Sequence, residues 1–361
     1  MSTKQSSKFV FIALSAVFAS SLTGCGGSGG TAATSTGKGP GSFLETKLVA
    51  NKAGAALKTD ANLKNAWGMS YAPGGAFWVS DNGTGLSTLY DGSGNTQSLV
   101  VGIPAAGGGA NGPVSGQVFN STADFGIPGG GNAFFIFDSE DGLITGWGGA
   151  ANASVLVDRS ASGAVYKGLA IGTSGGAKFL YAANFNSGFV EVFDKNYTLT
   201  KSFSDPNIPA GYAPFNVSNL GGLLYVTFAK QDGAKHDDVA GVGNGYVDVF
   251  QTDGTLVSRL VARGALNSPW GLAIAPAGFG NLGGALLVGN FGDGLIHAYN
   301  ASTGATLGTI ATKSGTPITI PGLWGLLFGN GGNAGPTSTL YFTAGPNGEQ
   351  DGLFGSITTS L

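Results

Sequence analysis

The sequence predicts an all-β chain folded as a six-bladed β-propeller with four-stranded blades, the last blade being closed by an N-terminal strand. Three observations carry this: a Gly- and aromatic-rich composition, a segment recurring with a period of about 50 residues, and four strand-like runs in each period. The 361 residues include 66 Gly, with 11% aromatic and only 10% charged side chains. Gly supplies the positive φ of tight turns while Phe, Tyr and Val suit a pleated surface, so the composition fits many short strands. The net charge is −3 and Lys and Arg are scattered, which leaves no footprint for a phosphate backbone and sets nucleic acid aside as a partner.

The first segment lies outside the repeats. Lys4 and Lys8 precede an apolar run from Phe9 to Leu22, and "LTGC" ends at Cys25, the single cysteine. The run falls short of the roughly 18 apolar residues that span a bilayer, so residues 1–25 read as an export signal. One cysteine leaves no intrachain disulfide. The small-residue box ending at Cys25 resembles a bacterial lipoprotein signal. That resemblance implies a lipidated Cys25, membrane attachment without a spanning helix, and a place in the bacterial cell envelope or outside the cell. Residues 26–42, "GGSGGTAATSTGKGPGS", carry too few apolar side chains to offset the entropy of ordering and read as a flexible linker. The propeller is expected over residues 43–361.

Four stretches align within it: "NAWGMSYAP" from Asn65, "VYKGLAIG" from Val165, "SPWGLAIAP" from Ser268 and "GLWGLLFG" from Gly322. Their shared glycines are Gly68, Gly168, Gly271 and Gly325. The first two gaps are about 100 residues and the third about 50, two steps and one step of a single period. Hidden copies are expected near residues 118 and 218, where "GQVFNSTADFGIP" and "YAPFNVSNLGG" lie. After each copy comes a short apolar strand such as "FWVSDN" or "ALLVGNF", then a polar Gly turn and a strand such as "FVEVF" or "YVDVF". The alternation in the latter two marks one apolar face. A further strand follows, as in "LVSRLVA". The sixth unit runs out after three strands, and "FLETKLVAN", Phe43 to Asn51, is expected to supply its outer one, removing an exposed edge. Two separate sandwiches would not produce one period across residues 65 to 361.

In a propeller the turns between second and third strands and the connections between blades emerge on one face, around the central channel. That face collects Asp81, Asp138, Glu140, Asn184, Asn290 and Glu349 from the turns. Asn65, Trp67, Tyr166, Phe215, Trp270 and Trp324 come from the blade starts and form the expected binding face. Asx-Gly turns such as "DNGTG" also have a purely local use, because Asn, Asp and Gly tolerate left-handed backbone. The Trp-Gly pairs likewise serve blade packing.

One stretch stands apart. "KQDGAKHDDVAGVGNG", Lys230 to Gly245, gathers Lys230, Asp232, Lys235, His236, Asp237 and Asp238 in a chain that is otherwise poor in charge, and it lengthens one hairpin turn by about ten residues. Asp232, Asp237 and Asp238 are candidate ligands for Ca2+ or another divalent metal, and His236 is a candidate general base beside such an ion. The stretch lacks the ligand spacing of an EF-hand, no GxSxG occurs, and the lone Cys25 excludes a zinc site built from four cysteines.

The runs "NAWGMSYAPGGAFWVSDNGTGLSTLYDGSG", "AKQDGAKHDDVAGVGNGYVDVF" and "SPWGLAIAP" resemble an uncharacterised family of exported bacterial propellers, related in pattern to NHL-repeat propellers. More distantly the chain is similar to calcium-dependent lactonases of the gluconolactonase and regucalcin type. That similarity implies a metal at the channel mouth, with Asp81, Asn184 and Asn290 at comparable turn positions and no counterpart of the family's Glu ligand. Two functions are therefore expected in competition. One is a lipid-anchored module binding a ligand, a polysaccharide or a protein partner at its loop-rich face. The other is a metal-dependent lactonase or esterase.

Overall fold

The computed structural model describes residues 42–360; the expected export signal, Cys25 and nearly all of the expected linker lie outside them. β1 (Phe43–Ala50) and the short β2 (Lys58–Thr59) come first. Blade 1 is β3 (Ala66–Ser70), β4 (Phe77–Asp81), β5 (Leu86–Tyr90) and β6 (Thr96–Gly102). Blade 2 is β7 (Val114–Phe119), β8 (Phe135–Ser139), β9 (Leu143–Trp147) and β10 (Ser154–Asp158). Blade 3 is β11 (Tyr166–Ser174), β12 (Ala177–Asn184), β13 (Phe189–Phe193) and β14 (Leu199–Phe203). Blade 4 is β15 (Tyr212–Leu220), β16 (Leu223–Lys230), β17 (Gly245–Phe250) and β18 (Leu256–Ala262). Blade 5 is β19 (Pro269–Ile274), β20 (Ala285–Asn290), β21 (Ile296–Asn300) and β22 (Thr306–Thr309). Blade 6 is β23 (Leu323–Phe328), β24 (Leu340–Ala344) and β25 (Leu353–Thr359), completed by β1.

Blades 1 to 5 are antiparallel meanders, and blade 6 carries β2 as a short fifth strand parallel to β1; both predicted hidden copies, at β7 and β15, are inner strands. Ring closure follows the expectation. β1 pairs antiparallel with β25 from Phe43 opposite Thr359 to Ala50 opposite Leu353, and Phe43 N–H also reaches Ala311 O in blade 5 at 3.0 Å. Strands from both ends of the described chain thus share one sheet, and opening the ring means breaking a full ladder.

The core lies between blades. The cluster joining blades 5 and 6 contains Phe279, Leu287, Ile296, Leu323 and Phe342, and Phe43 from β1 packs into it. In every blade the pairing of the two inner strands is interrupted at one place: Trp67-Gly68, Ser115-Gly116, Lys167-Gly168, Phe215, Trp270 and Trp324-Gly325. A bulge of this kind re-aims a side chain out of the sheet. Gly beside it lets the next blade approach: a Cβ on Gly271 would lie 2.5 Å from Trp324 O, and one on Gly325 would lie 2.7 Å from Trp67 O. That is the physical content of the repeated aromatic-Gly signature.

Candidate functional site: a charged channel mouth above an aromatic plug

Five of these six bulge residues meet across the centre of the ring. Trp67 stacks on Trp324 at 3.7 Å between ring centroids, Trp270 stands edge-on to both, and Phe215 lies 5.8 Å from Trp324. Phe185 and Phe291, which follow β12 and β20, complete the cluster. The residues expected as a binding face, Asn65, Trp67, Tyr166, Phe215, Trp270 and Trp324, are each at most 5% exposed. This corrects the expectation. The rings make better use of each other than of solvent, because an aromatic pair gains both buried area and favourable edge or stacked geometry. Tyr166 turns away into blade 3, where its hydroxyl donates to Glu191 at 2.6 Å.

The fifth residue of the set is Lys167. It holds the position that Trp67, Trp270 and Trp324 hold in other blades, and it is 2% exposed. Its Nζ lies 5.3 Å from the Trp67 ring centroid, over the negative face of the π system. The ammonium donates to Glu140 from the blade 2 turn and to Asp237 of the long loop, the latter at 3.3 Å. Burial acts to lower the Lys167 pKa, but the Glu140 and Asp237 charges outweigh it and hold the amine above its ordinary range. Lys167 is thus a buried ammonium paired with two carboxylates.

Hydrogen bonds extend this centre around the ring. Trp324 Nε1 donates to Asn65 Oδ1 at 3.0 Å, Asn65 Nδ2 to Asn82 Oδ1 at 3.2 Å, and Asn82 Nδ2 to Glu140 Oε2 at 2.7 Å. Trp270 Nε1 donates to Lys167 O at 2.8 Å. Beyond Asp237, His236 Nδ1 lies 2.8 Å from the same carboxylate. Glu349, from the blade 6 turn, completes the mouth: burial and then the Glu140 charge raise its pKa to about 7, against the pull of Lys167. Asp238 is raised by burial as well, despite a hydrogen bond with Ser268. Asp237 runs the other way, since its bond to His236 and the Lys167 charge overcome burial and lower it.

The charge in the long loop now has a local account. Asp232 Oδ1 accepts the His236 N–H at 2.9 Å and the Asp237 N–H at 3.3 Å, so it caps the loop's own turn. Asp237 reaches Lys167 and brings the loop over the mouth. Glu140, His236 and Asp237 place ligand atoms within 4.8 Å of one another. Asp81, Asn184 and Asn290 do something else. Asn184 Oδ1 accepts the N–H groups of Val165 and Ser187, both at 3.2 Å, while its Nδ2 donates to Glu191. Asn290 Nδ2 donates to Ala265 O at 2.8 Å. Asp81 is fully enclosed in blade 1, and burial holds its carboxyl well above the ordinary range. Of the set that the lactonase resemblance implies, Asn184 has its oxygen spent on two backbone N–H groups, while Asn290 Oδ1 is buried with no hydrogen-bond partner.

The repeat alignment shows Lys167 as the one Lys-Gly among Trp-Gly copies, a signal that reasoning centred on its neighbour Tyr166 misses.

No family model matches the chain. Uncharacterized protein R648 of Acanthamoeba polyphaga mimivirus is 33% identical over 326 residues, covering 86% of this chain and 78% of the relative. Uncharacterized protein L690 of the same virus is 32% identical, with 86% and 84% covered. These relatives are viral, so they lend no support to a bacterial family or to an NHL-type repeat. Among solved structures, a streptogramin B lyase superposes with a TM-score of 0.52 at 11% identity, over 88% of this chain and 97% of that one. A glucose dehydrogenase does so with the same score and identity, over 88% and 100%. Both likenesses are of the propeller fold alone. By its sequence, the chain belongs to the family that includes the uncharacterized proteins R648 and L690 of mimivirus.

Proposed function

We propose that the protein is a binding propeller that takes a polar ligand, rich in hydroxyl or ammonium donors, at the channel mouth beneath the Lys230 to Gly245 loop. The observation that carries this is the set Glu140, Asp237, Asp238 and Glu349 gathered around the buried cation Lys167. Such a mouth offers acceptors in excess of donors. A sugar polymer or a basic protein segment has the matching chemistry. Lipid on Cys25, supported by the lipobox-like "LTGC", would tether the protein to a membrane, and mass spectrometry of the mature N-terminus reads that directly.

Isothermal titration of the full chain with an oligosaccharide and with spermidine tests the reading, beside a variant lacking Gly233 to Gly243. Binding lost in a deletion variant that melts like the parent supports the loop's part. Equal binding in both sinks it.

The second reading, a divalent-metal hydrolase, draws on the closeness of Glu140, His236 and Asp237. Lys167 counts against it, because its ammonium already occupies the space between the Glu140 and Asp237 carboxylates. Elemental analysis and melting with Ca2+ against a chelator separate the two, since an ion bound only by the native state raises the melting temperature. On that reading His236 is the base, and a stoichiometric ion followed by lactone or ester turnover would make it the working answer.

A further inference from the structure

The aromatic plug closes the channel from the mouth, and below it the inner strands line an open-ended cavity of about 360 Å3 to which all six blades contribute. The lining follows the bulge residues along each inner strand, at Met69, Val118, Leu169, Val217, Leu272 and Leu326, with Trp270 of the plug among them. It lies toward the turns joining first and second strands, on the opposite side of the plug from Lys167. A smaller hollow beside Tyr71, Leu220, Ile274 and Phe328 continues it in that direction.

Among the described residues, no Asp, Glu, Lys, Arg or His lines this cavity. Its amides are spent on the neighbouring blades. Gln117 Nε2 donates to Gly68 O, Trp78 O and Ser80 Oγ at 2.9 to 3.1 Å, Asn216 Nδ2 to Trp270 O at 2.8 Å, and Asn219 Nδ2 to Ile171 O at 2.9 Å. The Tyr71 hydroxyl donates to Phe328 O at 2.9 Å. Inner-strand carbonyls that would otherwise line a wet pore are thus capped, and what faces the space is mainly aliphatic. An uncharged, mostly apolar wall whose amides are already paired favours an apolar guest over a charged one.

We infer that this cavity is a second binding site, separate from the mouth, for a compact, uncharged, mainly apolar small molecule entering from the face opposite the long loop. The volume falls at the lower end of the roughly 300–1,000 Å3 typical of small-molecule pockets, which limits the guest to a fused-ring or short branched skeleton. This inference does not depend on the mouth's ligand.

The test uses the full chain and N-phenyl-1-naphthylamine, a neutral apolar fluorophore, in a fluorescence titration. The parent protein is expected to bind one dye per chain. Ile171→Trp and Leu327→Trp, at two half-buried positions of the wall, fill the space and are expected to weaken the dye by at least about tenfold while the protein still melts cooperatively. Val257→Trp adds the same ring on the exposed outer strand of blade 4 and is expected to leave the affinity unchanged. Two variants guard against one failing to fold. No saturable dye binding by the parent, or undiminished affinity in either folded filling variant, overturns the site.

Discussion

Lys167 and Trp67 occupy the same repeat position in blades 3 and 1, and the ammonium of the first lies 5.3 Å from the ring centroid of the second. A single substitution within an otherwise aromatic set therefore places a charge at the centre of the ring. The turns and the long loop then supply its counter-ions.

Lys167→Met keeps much of the buried stem and removes the charge. Breaking a buried pair from one side leaves the other charge uncompensated, so a loss of about 3–5 kcal/mol in urea unfolding is expected. Adding Glu140→Gln should recover part of that loss. A double variant as unstable as the sum of both singles would show that the two residues do not act as a pair.

Asp138 makes stability depend on pH. It is buried in blade 2, with Oδ1 accepting the Gly116 N–H and the Ser115 hydroxyl, and burial raises its pKa from 3.8 to about 7. The folded state therefore keeps a proton that the unfolded chain releases near 3.8. Its contribution is present below that value and is lost as pH rises toward 7. Asp248, also raised to about 7 by burial and then by Asp205, acts in the same sense. Urea unfolding should show stability from these groups falling between about pH 4 and 7 and levelling above, and Asp138→Asn should flatten the slope. An unchanged slope would place the titration elsewhere.

Gly271→Ala tests blade packing. Its Cβ would meet the Trp324 carbonyl at 2.5 Å, which the backbone of the next blade cannot easily yield. A destabilisation of about 1–3 kcal/mol is expected, from overpacking rather than from loss of any contact. A melting temperature equal to the parent's would mean that the blades can slide apart at no cost.

Asn184→Ala separates a turn from a metal site. Removing an amide that accepts two backbone N–H groups and donates to Glu191 should lower the melting temperature, with metal content the same as in the parent. A fall in bound metal with unchanged melting would restore Asn184 to the ligand set.

By itself the sequence determined the blades and their closure. Gly spacing, strand alternation and the missing strand of the sixth unit are local or periodic signals, and they placed β1 in the last blade because a propeller leaves an unpaired strand no better partner. It also marked Lys230 to Gly245 as unlike any other turn. Only the tertiary structure decided what the mouth contains. The aromatic residues at the blade starts read as a surface in one dimension, yet the bulges converge on one axis and bury them against each other. Lys167, Glu140, Asp237 and Glu349 come from blades 3, 2, 4 and 6, separated by tens to hundreds of residues, so no spacing rule joins them. Their pKa values depend on burial and on charges across the ring, which exist only once it closes.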